Sequence, residues 1–226
     1  MSASAVAMTL PAADRSLLAG LRGNVYAFLA GVLVEPATTK ALVLLAGDAV
    51  VELFSPFDDG LVARLRTAVA ESSAAELRQE FWDLFSVPGA RFTTPCQSVY
   101  LDMREVAGEI IGGLNMGASA LTVRQAYEAE GFVPDDSRPL PPDHVAIELA
   151  FLSRLCDRER AAWDAGDIAA ATSAQGVTAR FLSDHLARWL GRLRVKVGEN
   201  ARLDLYPALL TLACRVVEED ERYLRG

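Results

Sequence analysis

The sequence is poor in the residues that build catalytic, metal and disulfide sites. Its 226 residues include only two histidines and three cysteines, and Cys96, Cys156 and Cys214 lie far apart. An odd number of cysteines without paired spacing excludes a disulfide framework and a zinc knuckle. The chain also lacks a Gly-x-Ser-x-Gly elbow and a glycine-rich phosphate loop ahead of a lysine. We therefore expect that the protein is not an enzyme and binds no cofactor. The unpaired cysteines also predict that it resides in a reducing compartment.

Positive charge and long apolar runs are scarce as well. There are 22 lysine and arginine residues against 30 aspartate and glutamate residues, a net charge of -8 that repels nucleic acid and anionic membranes. A cationic partner fits this charge better. Residues 1–13 lack the basic start and sustained apolar run of a secretory signal. Later apolar runs such as residues 41–45 are too short for a bilayer, which takes about 20 residues. We expect a soluble, cytoplasmic protein without stable membrane insertion.

Apolar residues recur at helical spacing almost everywhere, which predicts an all-α, single-domain helical bundle over residues 1–226. A 51% hydrophobic content is enough for one large core. Besides a short segment at 40–54, helices are predicted at residues 17–33, 61–70, 76–85, 103–111, 121–130, 143–163, 167–190 and 202–223. The first of these should end near Glu35, because the residue before a proline is pushed out of the helical region. The acidic run Glu218–Glu221 is interpreted as a solvated face.

Two irregular connections are predicted between these helices. Residues 86–98 contain two prolines, a glycine and several hydroxyl side chains, which favour an exposed loop that carries Cys96. Gly131 is well placed to end a helix. The proline-rich residues 132–142 then form a stiff hinge between helical subregions at about 14–131 and 143–223.

The most informative stretch is Pro141-Pro142-Asp143-His144, which leads directly into an apolar helical run. His144, Glu148 and Phe151 fall within roughly 60° of one another on a helical wheel, at the edge of the apolar stripe. Asp143 is expected to cap this helix by accepting its free N–H groups. The alternative to a functional site is a capping aspartate beside a core-edge His-Glu pair. A metal site is disfavoured, because the number, order and spacing of the ligands do not suit zinc or a di-iron bundle.

Three further side chains are interpreted from their position on a helix. His185 lies on one face with Phe181 and Trp189 and is predicted to be a core histidine. Trp82 points away from Phe85 on the wheel, so one core face cannot hide both rings. Trp82 is therefore expected to line a groove.

Six segments, taken in order, resemble the TorD/DmsD/NarJ family of chaperones that mature molybdenum-containing redox enzymes. The matching segments are Glu80-Phe81-Trp82-Asp83-Leu84-Phe85 with Pro88; Gln97-Ser98-Val99-Tyr100-Leu101-Asp102; Tyr127 with Gly131-Phe132; Pro142-Asp143-His144 with Glu148-Leu149 and Phe151-Leu152; Phe181 with His185-Leu186 and Trp189; and Leu205-Tyr206. Each segment is weak alone, but six in the family's order make a specific match. One departure is Leu140, which stands where many relatives carry an acidic residue.

The resemblance implies a cytoplasmic, all-helical chaperone that binds the twin-arginine signal peptide of a molybdopterin-dependent oxidoreductase. It would hold the apo form of the catalytic subunit for cofactor insertion and proofreading before export. Such a peptide needs carboxylates beside an apolar groove. The candidate peptide-binding residues are Trp82, Phe85, Tyr100, Asp143, His144, Glu148 and Phe151.

The sequence leaves several alternatives open. Asp143 and His144 either touch the peptide or shape the hinge that forms its groove. The protein is either a monomer or a dimer that exchanges C-terminal helices by opening at residues 132–142. The alternatives to a signal-peptide chaperone are a helical scaffold for another partner and a weak guanine-nucleotide-binding protein without catalytic activity.

Overall fold

A computed structural model describes residues 11–54, 58–106, 109–113, 116–135 and 139–225 of the chain. The all-α prediction is confirmed. The helices are α1 (Ala12–Val34), α2 (Thr39–Ala46), α3 (Asp48–Phe54), α4 (Asp59–Ala70), α5 (Ala74–Phe81), α6 (Gln97–Leu101), α7 (Ala118–Ala129), α8 (Val145–Asp164), α9 (Ile168–Phe181), α10 (Ala187–Asn200) and α11 (Leu205–Arg225). One-turn π-helical segments follow α5 (Trp82–Ser86) and α9 (Leu182–Leu186). Residues 1–10 and 136–138, which belong to the predicted N-terminus and hinge, lie outside the described residues.

The ends of several helices follow the signals in the sequence. α1 ends at Val34, with Glu35 in an extended conformation, as the following proline predicts. Ser73 and Glu76 form a reciprocal capping box at the start of α5. Gly131 has a φ of +64° just beyond α7, a left-handed conformation that glycine adopts without strain. The predicted helical stop at this glycine is confirmed.

The predicted helix at residues 103–111 is wrong. Two short strands, β1 (Arg104–Val106) and β2 (Glu109–Ile111), pair there in antiparallel register with Arg104 opposite Ile111. Val106, Ile110 and Ile111 are β-branched residue types, which have a higher propensity for strands than for helices. The apolar spacing of so short a run cannot distinguish the two structures.

The packing of α1 against α8 is the main contact across the predicted hinge. Two glycines let the helices approach closely, since a Cβ at Gly20 would lie 3.1 Å from Cδ of Arg160 and one at Gly23 would lie 3.3 Å from Cβ of Cys156. The Ser153 hydroxyl donates a hydrogen bond to the Gly23 carbonyl at 2.9 Å. α1 is also the one helix of the described chain whose length and composition would suit a membrane span, although 44% of its most apolar window is buried within the protein.

A single main apolar core is shared by elements on both sides of the proline-rich segment. Tyr26 and Leu65 from the N-terminal side are fully buried together with Leu152, Leu186 and Leu209 from the C-terminal side. The two helical subregions therefore contribute to one domain core. The hinge at residues 132–142 stays a prediction.

A buried ionic network ties together α1, α8 and α11. Arg22 donates to Glu159 at 2.6 Å and to Asp220 at 2.5 Å, and Tyr26 donates its hydroxyl proton to Asp220 at 2.7 Å. Glu159 is fully buried, and Asp220 is nearly so. The run Glu218–Glu221, predicted to be a solvated face, therefore contains one residue of the core, because the buried guanidinium needs a second carboxylate.

Candidate functional site

A short segment, residues 94–98, lies across the start of α8, and we call it the strap. Cys96 and His144 form an isolated antiparallel bridge. The amide of Gln97 donates to the carbonyl of Asp143 at 2.9 Å, and the amide of Val145 donates to the carbonyl of Pro95 at 2.9 Å. The bridge holds part of the predicted loop at 86–98 against the proline-rich segment.

Because of this bridge, Cys96 is not in an exposed loop as the sequence suggested. Only 2% of the residue is exposed, and burial is the main cause that raises the pKa of its thiol, followed by the charges of Asp143 and Glu148. A thiol with a raised pKa is a poor nucleophile at neutral pH. Cys96 is therefore a small, buried apolar side chain of the strap, paired with the residue that caps α8.

The capping prediction is wrong in the identity of the residue. His144 is the N-cap of α8, and its Nδ1 accepts a hydrogen bond from the amide of Ala146 at 3.1 Å. Asp143 is fully buried and points elsewhere, with Oδ2 accepting from the amide of Ser98 at 2.7 Å. The two adjacent residues thus bind different partners, since Asp143 holds the strap while His144 starts the helix.

His144 is neutral in this arrangement. Its Nδ1 accepts a hydrogen bond, so the ring has no proton there. Burial lowers the pKa of the imidazole from 6.5 to about 4, because a charged ring would lose its hydration.

Replacing His144 by asparagine should remove a pH-dependent part of the stability. The pKa of His144 is lower in the folded protein, about 4, than in the unfolded chain, 6.5. The contribution is therefore complete above pH 6.5 and is lost as the pH falls towards 4, and it amounts to about 3 kcal/mol. Asparagine caps helices well but does not titrate in this range. Urea unfolding at pH about 7 and about 4 should show a larger loss for the wild type than for the variant, whereas parallel losses would contradict a neutral His144.

Glu148 lies one turn into α8 and is fully buried, deeper than the core edge that the wheel suggested. Its Oε2 accepts a hydrogen bond from Nε1 of Trp189 at 3.3 Å. Burial is the main cause that raises the pKa of this carboxyl group; the indole hydrogen bond lowers it and the nearby charge of Asp143 raises it further. Phe151 is also buried, with its ring centroid 4.8 Å from that of Tyr127 and 4.7 Å from that of Phe181.

Four buried oxygen atoms around these residues have no hydrogen-bond partner among the residues that the structure describes. They are Oε1 of Gln97, Oγ of Ser98, Oδ1 of Asp143 and Oε1 of Glu148, and we call them the acceptor cluster. Buried polar atoms are nearly always paired, so four orphans in one region are unusual. Within the described chain neither the carboxylate of Asp143 nor that of Glu148 forms an ion pair with a lysine or arginine. The cluster therefore suits a group that brings several N–H donors and a positive charge.

A surface cavity lies beside the acceptor cluster. Its volume is about 260 Å³, and it is lined by Ala126, Ala129, Glu130, Phe151, Val177, Arg180, Phe181, Asp184 and His185. His185 is buried, as predicted, and its Nδ1 lies 3.4 Å from Nε2 of Gln97. The cavity thus combines aromatic walls with three charged residues, Glu130, Arg180 and Asp184, which the sequence reasoning missed. Gln97 was also missed, although it begins one of the six resembling segments.

The predicted site residues form two groups. The first group lies around the start of α8 and contains Asp143, His144, Glu148 and Phe151. Tyr100 belongs to it because Tyr100 stacks on Trp189 with centroids 5.5 Å apart, and Trp189 donates a hydrogen bond to Glu148. Trp82 and Phe85 belong to the other group, on the π-helical turn after α5, where Phe85 packs edge-on against Tyr206 at 5.6 Å. Trp82 is 44% exposed, and its place in a groove stays a prediction. Ring contacts and hydrogen bonds of the described chain do not connect the two groups.

No group of three or more His, Cys, Asp or Glu side chains in the described ranges is arranged to hold a metal ion. The described chain thus has a predominantly helical fold in which buried, unpaired acceptors lie beside an aromatic cavity.

Comparison with known proteins identifies the family. The profile of the family "Nitrate reductase delta subunit" matches residues 55–194, which include every predicted site residue, and the chain belongs to this family. This confirms the TorD/DmsD/NarJ resemblance.

Several curated relatives are named "Chaperone protein TorD". One from Vibrio cholerae serotype O1 is 28% identical over 154 residues, or 68% of this chain and 64% of the relative. Others are from Shewanella pealeana, at 27% over 168 residues covering 74% of this chain and 69% of the relative, and Vibrio atlanticus, at 25% over 176 residues covering 77% of each. The chain spans less than two thirds of the length of the Vibrio cholerae relative. The relatives carry the name of chaperones, which agrees with the prediction that the chain is not an enzyme.

Proposed function

We propose that the protein is a cytoplasmic chaperone that binds the twin-arginine signal peptide of a molybdopterin-dependent oxidoreductase. It would hold the apo form of that enzyme until its cofactor is inserted and it can be exported. Membership of the nitrate reductase delta subunit family and the name of the relatives support a chaperone for redox enzymes. The observation that carries the peptide proposal is the acceptor cluster.

An arginine side chain is the chemical complement of this cluster. A guanidinium presents five N–H donors in a rigid plane and keeps its charge when it is desolvated. Asp143 Oδ1 and Glu148 Oε1 offer two unpaired acceptors, and Gln97 Oε1 offers a third. Each charged hydrogen bond contributes roughly 1.5 to 3 kcal/mol. The apolar part of the peptide would lie along Phe151 and the neighbouring walls of the cavity.

Access to the acceptor cluster requires movement of the strap. Asp143 and Glu148 are fully buried, and the bridge between Cys96 and His144 closes the region. The base of the strap is fixed, because the amide of Thr93 donates to the carbonyl of Leu84 at 2.7 Å and its hydroxyl accepts from Asn200 at 2.9 Å. We therefore expect the bridge to open above a stationary Thr93 when an arginine binds.

Replacement of both arginines of a synthetic signal peptide by alanine should weaken binding at least about a hundredfold, since several charged hydrogen bonds are lost. Lysine replacements should recover only part of the affinity, because an ammonium cannot make the planar, two-pronged contact. Fluorescence anisotropy of the labelled peptides measures the three affinities. Equal affinity for the arginine and alanine peptides would remove the proposal.

The matched protein variants are Asp143→Asn and Glu148→Gln, which keep the shape of the side chains but replace an ionisable carboxyl group by a neutral amide. Each should discriminate less between the arginine and alanine peptides, while circular dichroism reports whether the helices are intact. Glu128→Gln serves as the control, because in the described part of the chain this exposed carboxylate forms one ion pair, with Arg124 at 3.4 Å. A loss of discrimination in all three variants would mean that general charge, and not the acceptor cluster, attracts the peptide.

A further inference from the structure

The outward face of α10 has a charge opposite to that of the rest of the chain. The helix has a net charge of +3, because it contains one carboxylate, Glu199, and four cations: Arg188, Arg192, Arg194 and Lys196. The whole chain has -8, and the remainder therefore carries -11. Such asymmetry within one acidic protein is typical of a surface with its own partner.

The cationic side chains of this helix are exposed and poorly neutralised. Arg188 and Arg192 donate to the backbone carbonyls of Asp184 and Tyr100, at 3.5 and 2.7 Å, and within the described residues neither forms an ion pair with a carboxylate. Lys196 pairs with Glu199 at 3.1 Å, with both side chains more than half exposed. Arg188, Arg192 and Lys196 lie four residues apart along α10, and like charges at this spacing repel each other. The pair with Glu199 offsets part of this repulsion at Lys196, whereas no carboxylate of the described chain pairs with Arg188 or Arg192.

Two glycines lie among these cations. A Cβ at Gly191 or at Gly198 would meet no atom within 4 Å, so packing inside the described chain does not require either glycine. Glycine weakens a helix, because the unfolded chain gains freedom that folding must remove. The bare backbone at these positions, next to the half-exposed Val195, would let a partner approach closely. The glycines support a contact surface that the charge defines.

The inner face of the same helix contacts a residue of the acceptor cluster, since Nε1 of Trp189 donates a hydrogen bond to Oε2 of Glu148. The two faces therefore present opposite chemistry to a client. The acceptors suit the cationic signal peptide, and the basic face would repel it. An acidic client surface, in turn, would be repelled by most of this acidic chain and attracted only to α10.

We propose that the outward face of α10, with Arg188, Arg192, Arg194 and Lys196 around Val195, binds an acidic protein segment of the client enzyme outside its signal peptide. The inference rests on the proposed function for the identity of the client but not for the chemistry of the surface. It assigns the two parts of the client to separate sites, one cationic segment to the acceptor cluster and one acidic segment to α10.

The test uses the full chain and four probes: a fluorescein-labelled glutamate-rich peptide, its glutamine analogue, a single-stranded DNA oligonucleotide and phosphatidylserine-containing vesicles. The acidic peptide should bind with an affinity that falls as salt is added, and the glutamine analogue should not bind. The variant Arg188→Glu/Lys196→Glu should bind the acidic peptide at least about tenfold more weakly, since each reversal replaces an attraction by a repulsion. It leaves the Arg192 contact to Tyr100 intact.

The control variant is Arg78→Glu/Arg124→Glu, which changes the net charge equally. The two pairs are matched residue by residue. Arg78, like Arg188, is exposed and has no carboxylate partner in the described chain. Arg124 pairs with Glu128 on its own helix, as Lys196 pairs with Glu199. An equal loss in both variants, no binding of the acidic peptide, or binding of DNA or vesicles in its place would overturn the inference.

The twin-arginine peptide, titrated in parallel, separates this result from the proposed function. It should bind the test variant at least as tightly as it binds the wild type, because the variant keeps the acceptor cluster and loses part of the repelling basic face. The twin-arginine peptide could bind neither the wild type nor the test variant, while the acidic peptide binds the wild type and the control variant but not the test variant. In that case the proposed function fails and the inference of a basic docking surface on α10 holds. Loss of only the acidic peptide from the test variant supports both.

Discussion

Replacement of Arg22 by methionine is expected to lower the free energy of unfolding by about 3 to 5 kcal/mol. Methionine fills a similar volume but leaves the carboxylates of Glu159 and Asp220 buried without their cation. Glu159 would keep the hydrogen bonds from Trp163 and Gln175, at 3.3 and 2.7 Å, which do not neutralise its charge. The loss should appear as a lower urea midpoint with an unchanged dependence on denaturant.

The control for this prediction is Arg66→Met, which removes an equally long cation from the surface. Its side chain is 45% exposed and lies 3.8 Å from a carboxylate of Asp48 that is 92% exposed. A pair of this kind contributes little, and we expect a change below about 0.5 kcal/mol. Similar losses in the two variants would show that the buried network does not hold α1, α8 and α11 together.

Replacement of His144 by cysteine should create a disulfide that locks the strap and abolishes peptide binding. Cys96 already stands opposite position 144, and the flanking hydrogen bonds make this a non-hydrogen-bonded antiparallel pair. The Cα atoms of such pairs lie about 4.5 Å apart, within the roughly 4.4 to 6.8 Å that a disulfide spans. The oxidised variant should bind the twin-arginine peptide at least about a hundredfold more weakly than the reduced variant, since the open state is no longer populated.

The reduced form of the same protein is the internal control, because it carries the same substitution without the crosslink. Addition of dithiothreitol should restore binding, and mass spectrometry verifies the bond. In the double variant Cys96→Ser/His144→Cys, oxidation should change nothing. Undiminished binding by the oxidised single variant would mean that the peptide arginine does not enter beneath the strap.

The sequence was sufficient for the fold where local signals decide the structure. The stop of α1 before Pro36 and the end of α7 at Gly131 depend on backbone restrictions of single residues. The hairpin of β1 and β2 depends on pairing between strands, which the apolar spacing of one run does not encode. Asp220 was misassigned for a related reason, since its partner Arg22 lies 198 residues away.

The candidate site was predictable in part. The six ordered segments located the elements that meet there, and all predicted site residues lie within the family match. The position of Asp143 just before α8 predicts that it caps this helix. Its carboxylate instead accepts a hydrogen bond from the amide of Ser98 on the strap, and this long-range contact cannot be read from the local sequence. The acceptor cluster could not be predicted, because its atoms come from α6, α8 and the segment between them, and the missing hydrogen bonds exist only after packing.

The contact between α1 and α8 constrains how the chain can fold during its synthesis. The hydrogen bond from Ser153 to Gly23 joins residues 130 apart in the sequence, so α1 leaves the ribosome long before its partner is made. Contacts of such separation close slowly, because the intervening chain must first lose its freedom. In that interval a helix as apolar as a membrane span has its glycine face uncovered. The newly made chain thus exposes, for a time, an apolar helical surface that is covered only after α8 has been made.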